Sequence, residues 1–198
     1  MTSFLRQELK VAESLARFGL AVRVPDVRHG ALLPVRAASL ATGCRAEDGR
    51  RDTVIEGDVP GLIEKANSTW FSMALEYELF NEEERRFLVG VDYADASSSP
   101  LLRWAEVELM HDWLIVGVDV KDRVLGPAPD KPEFSMLSLA GDLILRGTTW
   151  DEGIGFLVVP RPHDVTVIRS YVSRLADNPK TERNERIAAE EWLNQHPR

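Results

Sequence analysis

Glu76-Tyr-Glu-Leu-Phe80 and Leu88-Val-Gly-Val-Asp92 are the most informative segments of this 198-residue chain, because both return further along. Glu106-Val-Glu-Leu-Met110 matches the first segment, and Ile115-Val-Gly-Val-Asp119 matches the second. The first match is offset by 30 residues (76 to 106) and the second by 27 (92 to 119), so the turn of the copy is shorter by 3 residues. Such self-similarity predicts a repeated structural unit, here a β-hairpin.

The two hairpins are predicted over 74–95 and 104–122, and each has an apolar and an acidic face because side chains two residues apart share a face of a strand. The apolar face contains Phe71, Met73, Leu75, Tyr77, Leu79, Phe87, Val89, Val91, Tyr93, Ala105, Val107, Leu109, Leu114, Val116, Val118 and Val120. The acidic face contains Glu76, Glu78, Asp92, Glu106, Glu108 and Asp119. This alternation is typical of an antiparallel sheet with one packed side. The acidic side is therefore expected to be either solvated or a site.

The segment from Ser99 to Trp113 also carries the signals of a helix. Ser99-Pro100 is typical of a helix start, and residues 101–106 favour helix. We prefer a strand there, because the segment aligns with a strand of the first hairpin and ends in a short turn before an apolar run.

Helices are expected at both ends of the chain, and a third hairpin is expected before the last two. The first helix is predicted over 3–18 with Gly19 as its C-terminal cap. Glycine and proline punctuate residues 20–61, which predicts irregular structure with a mobile loop near 45–53. The remaining predicted elements are a short helix at 61–67, strands at 136–139, 143–146 and 154–159, and helices near 164–175 and 181–194.

These elements predict an α+β fold. Its antiparallel sheet is expected to have about six strands from three successive hairpins, flanked by an N-terminal helix and two C-terminal helices that pack against one side. The length suits a single domain over 1–198. The helix within 181–198 has only Ile187, Ala188 and Trp192 as its main apolar positions, so we expect a loosely attached helix or a partner surface.

Composition narrows the class of protein. The net charge of −8 argues against a nucleic-acid partner, which needs a basic patch. The single cysteine, Cys44, fits a reducing compartment, and we expect it to be a packed residue and not a nucleophile. No apolar run approaches the roughly 18 residues of a membrane span, so we expect a cytoplasmic protein with no membrane partner. Only 5 of the 24 basic residues are lysine, which we associate with a bacterial, GC-rich source.

The sequence contains no phosphate-binding loop, nucleophile elbow or zinc-binding histidine spacing, so no cofactor or metal is expected. One short pattern suggests catalysis. The apolar run that leads into Asp119-Val-Lys121 resembles the metal-binding half of the PD-(D/E)xK nuclease family over about ten residues. The resemblance implies that Glu108 or Asp112 acts as the first carboxylate, that Asp119 holds magnesium and that Lys121 assists the attacking water.

Two features weaken this resemblance. Asp112 lies only seven positions before Asp119, in a predicted turn. A chain with a net negative charge is also poorly suited to binding the phosphate backbone of DNA. A solvated sheet face accounts for the same residues more simply. A small metal-dependent nuclease or hydrolase is therefore the alternative function, with Glu108, Asp112, Asp119 and Lys121 as its candidate catalytic residues.

The predicted acidic face also suggests binding, because it carries tryptophans beside the carboxylates. The candidate binding residues are Trp70, Glu76, Glu78, Asp92, Trp104, Glu106 and Glu108. If a helix covers this face, the indole rings pack beneath it. The leading prediction is a non-catalytic bacterial protein-binding or assembly module, resembling a chaperone, immunity or scaffold protein. Its acidic face or C-terminal helix is expected to contact a partner protein or a second copy in a homodimer. A small-ligand pocket beneath residues 20–61 is a third interpretation.

Overall fold

A computed structural model describes residues 3–25, 32–94, 100–119, 123–150 and 153–197. It confirms the α+β class and the antiparallel sheet, which has seven strands in the described residues. The strands are β1 (Leu20–Val24), β2 (Arg51–Glu56), β3 (Arg86–Asp92), β4 (Leu102–Leu109), β5 (Phe134–Leu137), β6 (Leu143–Trp150) and β7 (Gly153–Pro160). The helices are α1 (Ser3–Ala16), α2 (Val35–Ala38), α3 (Leu62–Glu76), α4 (Thr166–Asp177) and α5 (Arg183–Gln195). In the same described ranges, short 3-10 helices span Ser39–Gly43, Ala46–Asp48 and Pro162–Asp164.

The strands follow the order β1-β4-β3-β5-β6-β7-β2, and every neighbouring pair is antiparallel. The predicted strands at 136–139, 143–146 and 154–159 correspond to β5, β6 and β7. Both β5–β6 and β6–β7 pair as consecutive antiparallel strands. The N-terminal helix and both C-terminal helices are also present.

Helices cover both faces of the sheet, whereas we expected them on one side. Side chains of α1 and α3 pack on the face that contains Phe87, Val89 and Val107. Side chains of α2, α4 and α5 pack on the opposite face. The reason is visible in β7, where residues 154–159 are all buried. A strand that is apolar on both sides is stable only when both sides are covered.

The first predicted hairpin is wrong in its first strand. Residues 62–76 form α3, and the chain then turns before β3. The apolar positions at 71, 73 and 75 suggested a strand, but Ala66, Trp70 and Ala74 follow helical spacing and are buried on one side of α3. Burial of the helically spaced residues Ala66, Trp70 and Ala74 therefore decides that this segment is a helix and not a strand.

The second predicted hairpin is correct at β4 and wrong in its return strand. Residues 102–109 form a strand that pairs with β3 in antiparallel register, so the helical alternative is excluded there. Residues 114–119 form no strand, and Gly117 has a φ of +101°. This segment packs against α3 as a loop. The hairpin of the structure is therefore β3–β4, and the apparent repeat does not correspond to a structural repeat.

Residues 20–61 contain two strands that the sequence pattern did not predict. β1 and β2 form the two edges of the sheet. Five of the six residues of β2 are exposed, and β1 shifts register between Val22 and Val24. Edge strands bury few side chains and therefore leave a weak apolar pattern. The loop expected near 45–53 is replaced by a 3-10 helix and the start of β2.

Candidate functional site

The predicted acidic face is divided between the two sides of the molecule. Trp104, Glu106 and Glu108 do share one face of β4, and Asp92 pairs with Leu102 on that same face. Glu76, in contrast, ends α3, and Glu78 lies in the turn that follows. Asp119 is in the loop beyond β4. The expectation of a single acidic surface was wrong because three of its six carboxylates do not lie on strands.

Glu106 and Glu108 form ion pairs on the open part of the sheet. Glu106 accepts a hydrogen bond from Arg86 at 2.9 Å, and Glu108 accepts one from Arg23 at 2.5 Å. Asp92 accepts hydrogen bonds from the backbone N–H groups of Ala94 and Leu101. These side chains are therefore occupied within the chain, and solvent weakens the more exposed pair, which joins Arg23 to Glu108.

Trp70 is a core residue. It is completely buried on α3, and its ring centroid lies 5.3 Å from that of Trp113 and 6.1 Å from that of Phe87. The ring centroid of Phe80 lies 6.0 Å from that of Trp70. Trp70 is thus a residue of the helix that covers this face, whereas we expected it on a strand, and its ring packs in the core.

Three of the four residues suggested by the nuclease resemblance are described, and they lie in different surroundings. Glu108 is paired with Arg23, Asp112 is exposed in the turn after β4, and Asp119 borders a small cavity beside Gly126. Lys121 lies outside the described residues. Within the described ranges, no group of three or more histidine, cysteine, aspartate or glutamate side chains is placed to hold a metal ion.

A cavity of about 300 Å³ lies between α5, the segment 32–36 and the first residues of β4. We call it the α5 groove. Trp104 forms part of its floor and is only 5% exposed. The indole N–H of Trp104 donates a hydrogen bond of 2.6 Å to the carbonyl oxygen of Leu33. This bond joins β4 to the segment 32–36. The polar atom of this tryptophan is thus already occupied, and its ring supplies apolar surface.

Gly90 allows the segment 32–36 to approach the sheet. A Cβ atom at this position would lie 2.6 Å from Cγ1 of Val35 and 3.5 Å from Cζ3 of Trp104. A side chain here would push against Val35 and change the shape of the α5 groove. In the amino-acid sequence, Gly90 stands out only as part of the repeated segment 88–92.

One wall of the α5 groove is a single face of α5. Glu185, Ile187, Ala188 and Glu191 line the cavity, and these positions recur at helical spacing. Ile187 and Ala188 were among the apolar positions that suggested a partner surface, whereas Trp192 lies beneath the helix and is 1% exposed. The apolar residues of α5 thus serve two purposes: Trp192 is buried in the core, and Ile187 and Ala188 line the α5 groove.

The charged side chains of the α5 groove differ in how far they are neutralised. Arg36 Nε lies 3.1 Å from Glu185 Oε1. Glu182 caps the helix by accepting hydrogen bonds from the backbone N–H groups of Asn184 and Glu185. Burial raises the pKa of Glu185, Arg36 lowers it, and Glu182 raises it further. Glu191 has no ion-pair partner among the described residues.

The described lining of the α5 groove consists mainly of apolar, arginine and glutamate side chains. Among the described residues around the α5 groove there is no serine, threonine, cysteine, histidine, lysine or tyrosine. Nucleophilic and general acid–base catalysis rely mainly on these side chains or on paired carboxylates with separated pKa values. The α5 groove instead offers an apolar floor, two arginines and three glutamates.

The end of α5 is held by a pair of histidines. The rings of His163 and His196 stack at 4.7 Å, and Trp192 contacts His196 at 5.2 Å. Arg169 lies over the ring of Trp192, and Asp164 lies 3.8 Å from His163. Burial, followed by the charges of His163 and Arg169, lowers the pKa of His196, while Asp164 acts in the opposite direction.

We expect the stability of the protein to fall as the pH drops below about 6.5. The pKa of His196 is lower in the folded chain, so the unfolded chain takes up the proton first and gains stability from it. His196→Gln should reduce this loss between pH 7.5 and pH 5.5, measured by urea unfolding at each pH. His111→Gln, on the exposed turn after β4, is the control. Identical pH dependence of wild type and His196→Gln would refute the assignment.

Cys44 is a packed residue, as expected. It is 4% exposed, and burial, followed by the charge of Asp48, raises its pKa to about 11 against the lowering effect of Arg50. We predict that iodoacetamide at pH 8 alkylates the native thiol about tenfold or more slowly than the thiol of the urea-unfolded chain, because so little thiolate is present. Mass spectrometry over time measures both rates, and equal rates would contradict the prediction.

Comparison with known proteins gives no match: no family model matches the chain, and neither a curated protein nor a solved structure shows significant similarity to it. Within the described part of the chain, none of the helices is both long enough and apolar enough to cross a membrane.

Proposed function

We propose that this protein is a non-catalytic protein-binding or assembly module that receives a segment of a partner protein in the α5 groove. The observation that carries the proposal is a cavity of about 300 Å³ with a mostly apolar lining and without a serine, threonine, cysteine, histidine or lysine among its described lining residues. This volume is at the lower end of the range for ligand pockets, which suits one or two side chains of a partner.

Three further features support binding. Ile187 remains 38% exposed on the wall although it is a large aliphatic side chain. The hydrogen bond between Trp104 and Leu33 holds the floor in place before a partner arrives, which lowers the entropy cost of association. The α5 helix is anchored beneath by Trp192 and Ala189, so the wall has a defined position.

The cellular setting belongs to the same proposal. Cys44 as the single cysteine suits a reducing compartment, and the excess of arginine over lysine suits a bacterial source. We therefore propose a bacterial cytoplasmic module of the chaperone, immunity or scaffold type.

Site-specific photocrosslinking tests the proposed function. A benzophenone amino acid at Ile187 should capture one partner in cells of the native host, whereas the same group at Val167 should not. Val167 is the matched control, because it is also 38% exposed but lies on α4 outside the α5 groove. Ala188→Phe, which fills the α5 groove, should abolish the crosslink. The proposal is wrong if Ile187 gives no product or if Val167 and Ile187 give the same one.

Native mass spectrometry of the protein from its host complements this experiment. A heteromeric complex is expected, with the partner identified by the crosslink. A homodimer that crosslinks through Ile187 would identify the partner as a second copy of the chain. A catalytic alternative would show itself as a divalent ion that raises the melting temperature by mass action.

A further inference from the structure

The charges of the α5 groove indicate which partner segment it accepts. Glu185 and Glu191 lie six residues apart on α5, which corresponds to about 9 Å along the helix axis. Ile187 and Ala188 lie between them on the same face. The wall is therefore an apolar patch with a carboxylate at each end.

The two carboxylates are not equivalent. Glu185 is neutralised by Arg36, which also donates to the carbonyl oxygen of Pro100 at 3.5 Å. Arg103, the other arginine of the lining, already has an interaction within the chain. Glu191 is exposed and has no ion-pair partner among the described residues. The α5 groove thus has an uncompensated negative charge at the Glu191 end.

Resting on the proposed function, we propose that the occupant is a peptide segment of a partner protein in which an apolar side chain is adjacent to lysine or arginine. The apolar side chain packs against Trp104 and Ile187. The basic side chain forms an ion pair with Glu191. Such a pair is partly screened by solvent, so it contributes selectivity between segments more than total affinity.

The unpaired carboxylate of Glu191 disfavours an acidic segment. An acidic side chain at this end of the α5 groove would lie beside the carboxylate of Glu191, which is exposed and has no ion-pair partner among the described residues. Neighbouring like charges repel, and solvent partly screens this repulsion as it screens the attraction of a basic side chain.

Three blocked heptapeptides test the inference: acetyl-Gly-Ser-Leu-Phe-X-X-Gly-amide, with X as lysine, glutamine or glutamate. Binding is followed by NMR titration of the ¹⁵N-labelled full chain, with the indole N–H of Trp104 as the reporter of the α5 groove. The lysine peptide should bind about tenfold more tightly than the glutamate peptide at low salt, with the glutamine peptide between them. The preference should shrink in high salt.

Glu191→Gln should reduce the preference for lysine over glutamate about threefold and leave the glutamine peptide unaffected. Glu190→Gln is the matched control, because it removes the same charge from the neighbouring position of α5 outside the α5 groove. Ala188→Phe should abolish binding of all three peptides.

The outcomes separate the inference from the proposed function. Equal binding of the three peptides, or a preference that Glu191→Gln does not change, overturns the inference while the α5 groove remains a peptide site. Binding of hexylamine as tightly as the lysine peptide also overturns it, because the occupant is then a small amine. If no peptide shifts the Trp104 signal at about 1 mM, the inference is wrong. The Ile187 crosslink then decides the proposed function by itself.

Discussion

Replacing Asn67 with leucine should destabilise the fold by about 3–5 kcal/mol, the largest effect that we expect from a single polar residue. Asn67 is 6% exposed on α3. Its Nδ2 donates to the carbonyl oxygens of Ile63 at 2.8 Å and Val116 at 2.9 Å. Its Oδ1 accepts from the backbone N–H groups of Ile115 and Val116 at 2.7 and 3.0 Å.

The cost arises because leucine leaves the backbone groups of Ile115 and Val116 buried without partners. Each unsatisfied buried donor or acceptor costs about 1–3 kcal/mol. Urea unfolding measures the total, and hydrogen exchange at the amides of Ile115 and Val116 should become much faster. Asn194→Leu, on the exposed side of α5, is the control and should change stability by less than about 0.5 kcal/mol. A loss of stability below about 1 kcal/mol for Asn67→Leu would show that the hydrogen bonds of the Asn67 side chain contribute little to stability.

Gly19→Ala should cost about 2–4 kcal/mol for a different reason, which is steric. Gly19 follows α1 with a φ of +75°. A Cβ atom would lie 2.3 Å from the carbonyl oxygen of Asp112 and 2.5 Å from Cα of Trp113. Both contacts are with backbone, so no side-chain rotation relieves them. The chain must also keep the hydrogen bond of 2.8 Å from the N–H of Met110 to the carbonyl oxygen of Gly19.

Gly43→Ala is the matched control for this substitution. Its added Cβ would meet no heavy atom within 4 Å, and its φ lies outside the left-handed region. We expect a change within about 0.5 kcal/mol for Gly43→Ala by thermal or urea unfolding. If both glycine variants lose the same stability, the close approach between Gly19 and the turn after β4 is not the cause.

The α5 groove was only partly predictable. The sequence indicated that the last helix had a sparse apolar stripe and that Trp104 belonged to a site. It did not indicate that segment 32–36 forms the third side, because that contact joins Trp104 to Leu33 across 71 positions. It also placed Trp70 on the binding surface, because alternation assigned Trp70 to a strand face. In the folded chain Trp70 packs in an aromatic cluster on the other side of the sheet.

The sequence by itself determined the elements that carry a strong local pattern. α1 with its glycine cap, the strands β3 and β5 to β7 and the two last helices follow from apolar spacing, turn residues and capping. β4 is a strand as predicted, but the prediction rested on a match to a segment that is not a strand. Tertiary structure decided the rest. The apolar residues of 71–76 fit both the two-residue period of a strand and the 3.6-residue period of a helix. Burial of Trp70 and Ala74 selects the helix. Residues 114–119 have the composition of a strand, but Asn67 uses their backbone groups from 49 positions away. Hydrogen bonds between distant residues have no local signature, so the fold reveals them and the amino-acid pattern does not.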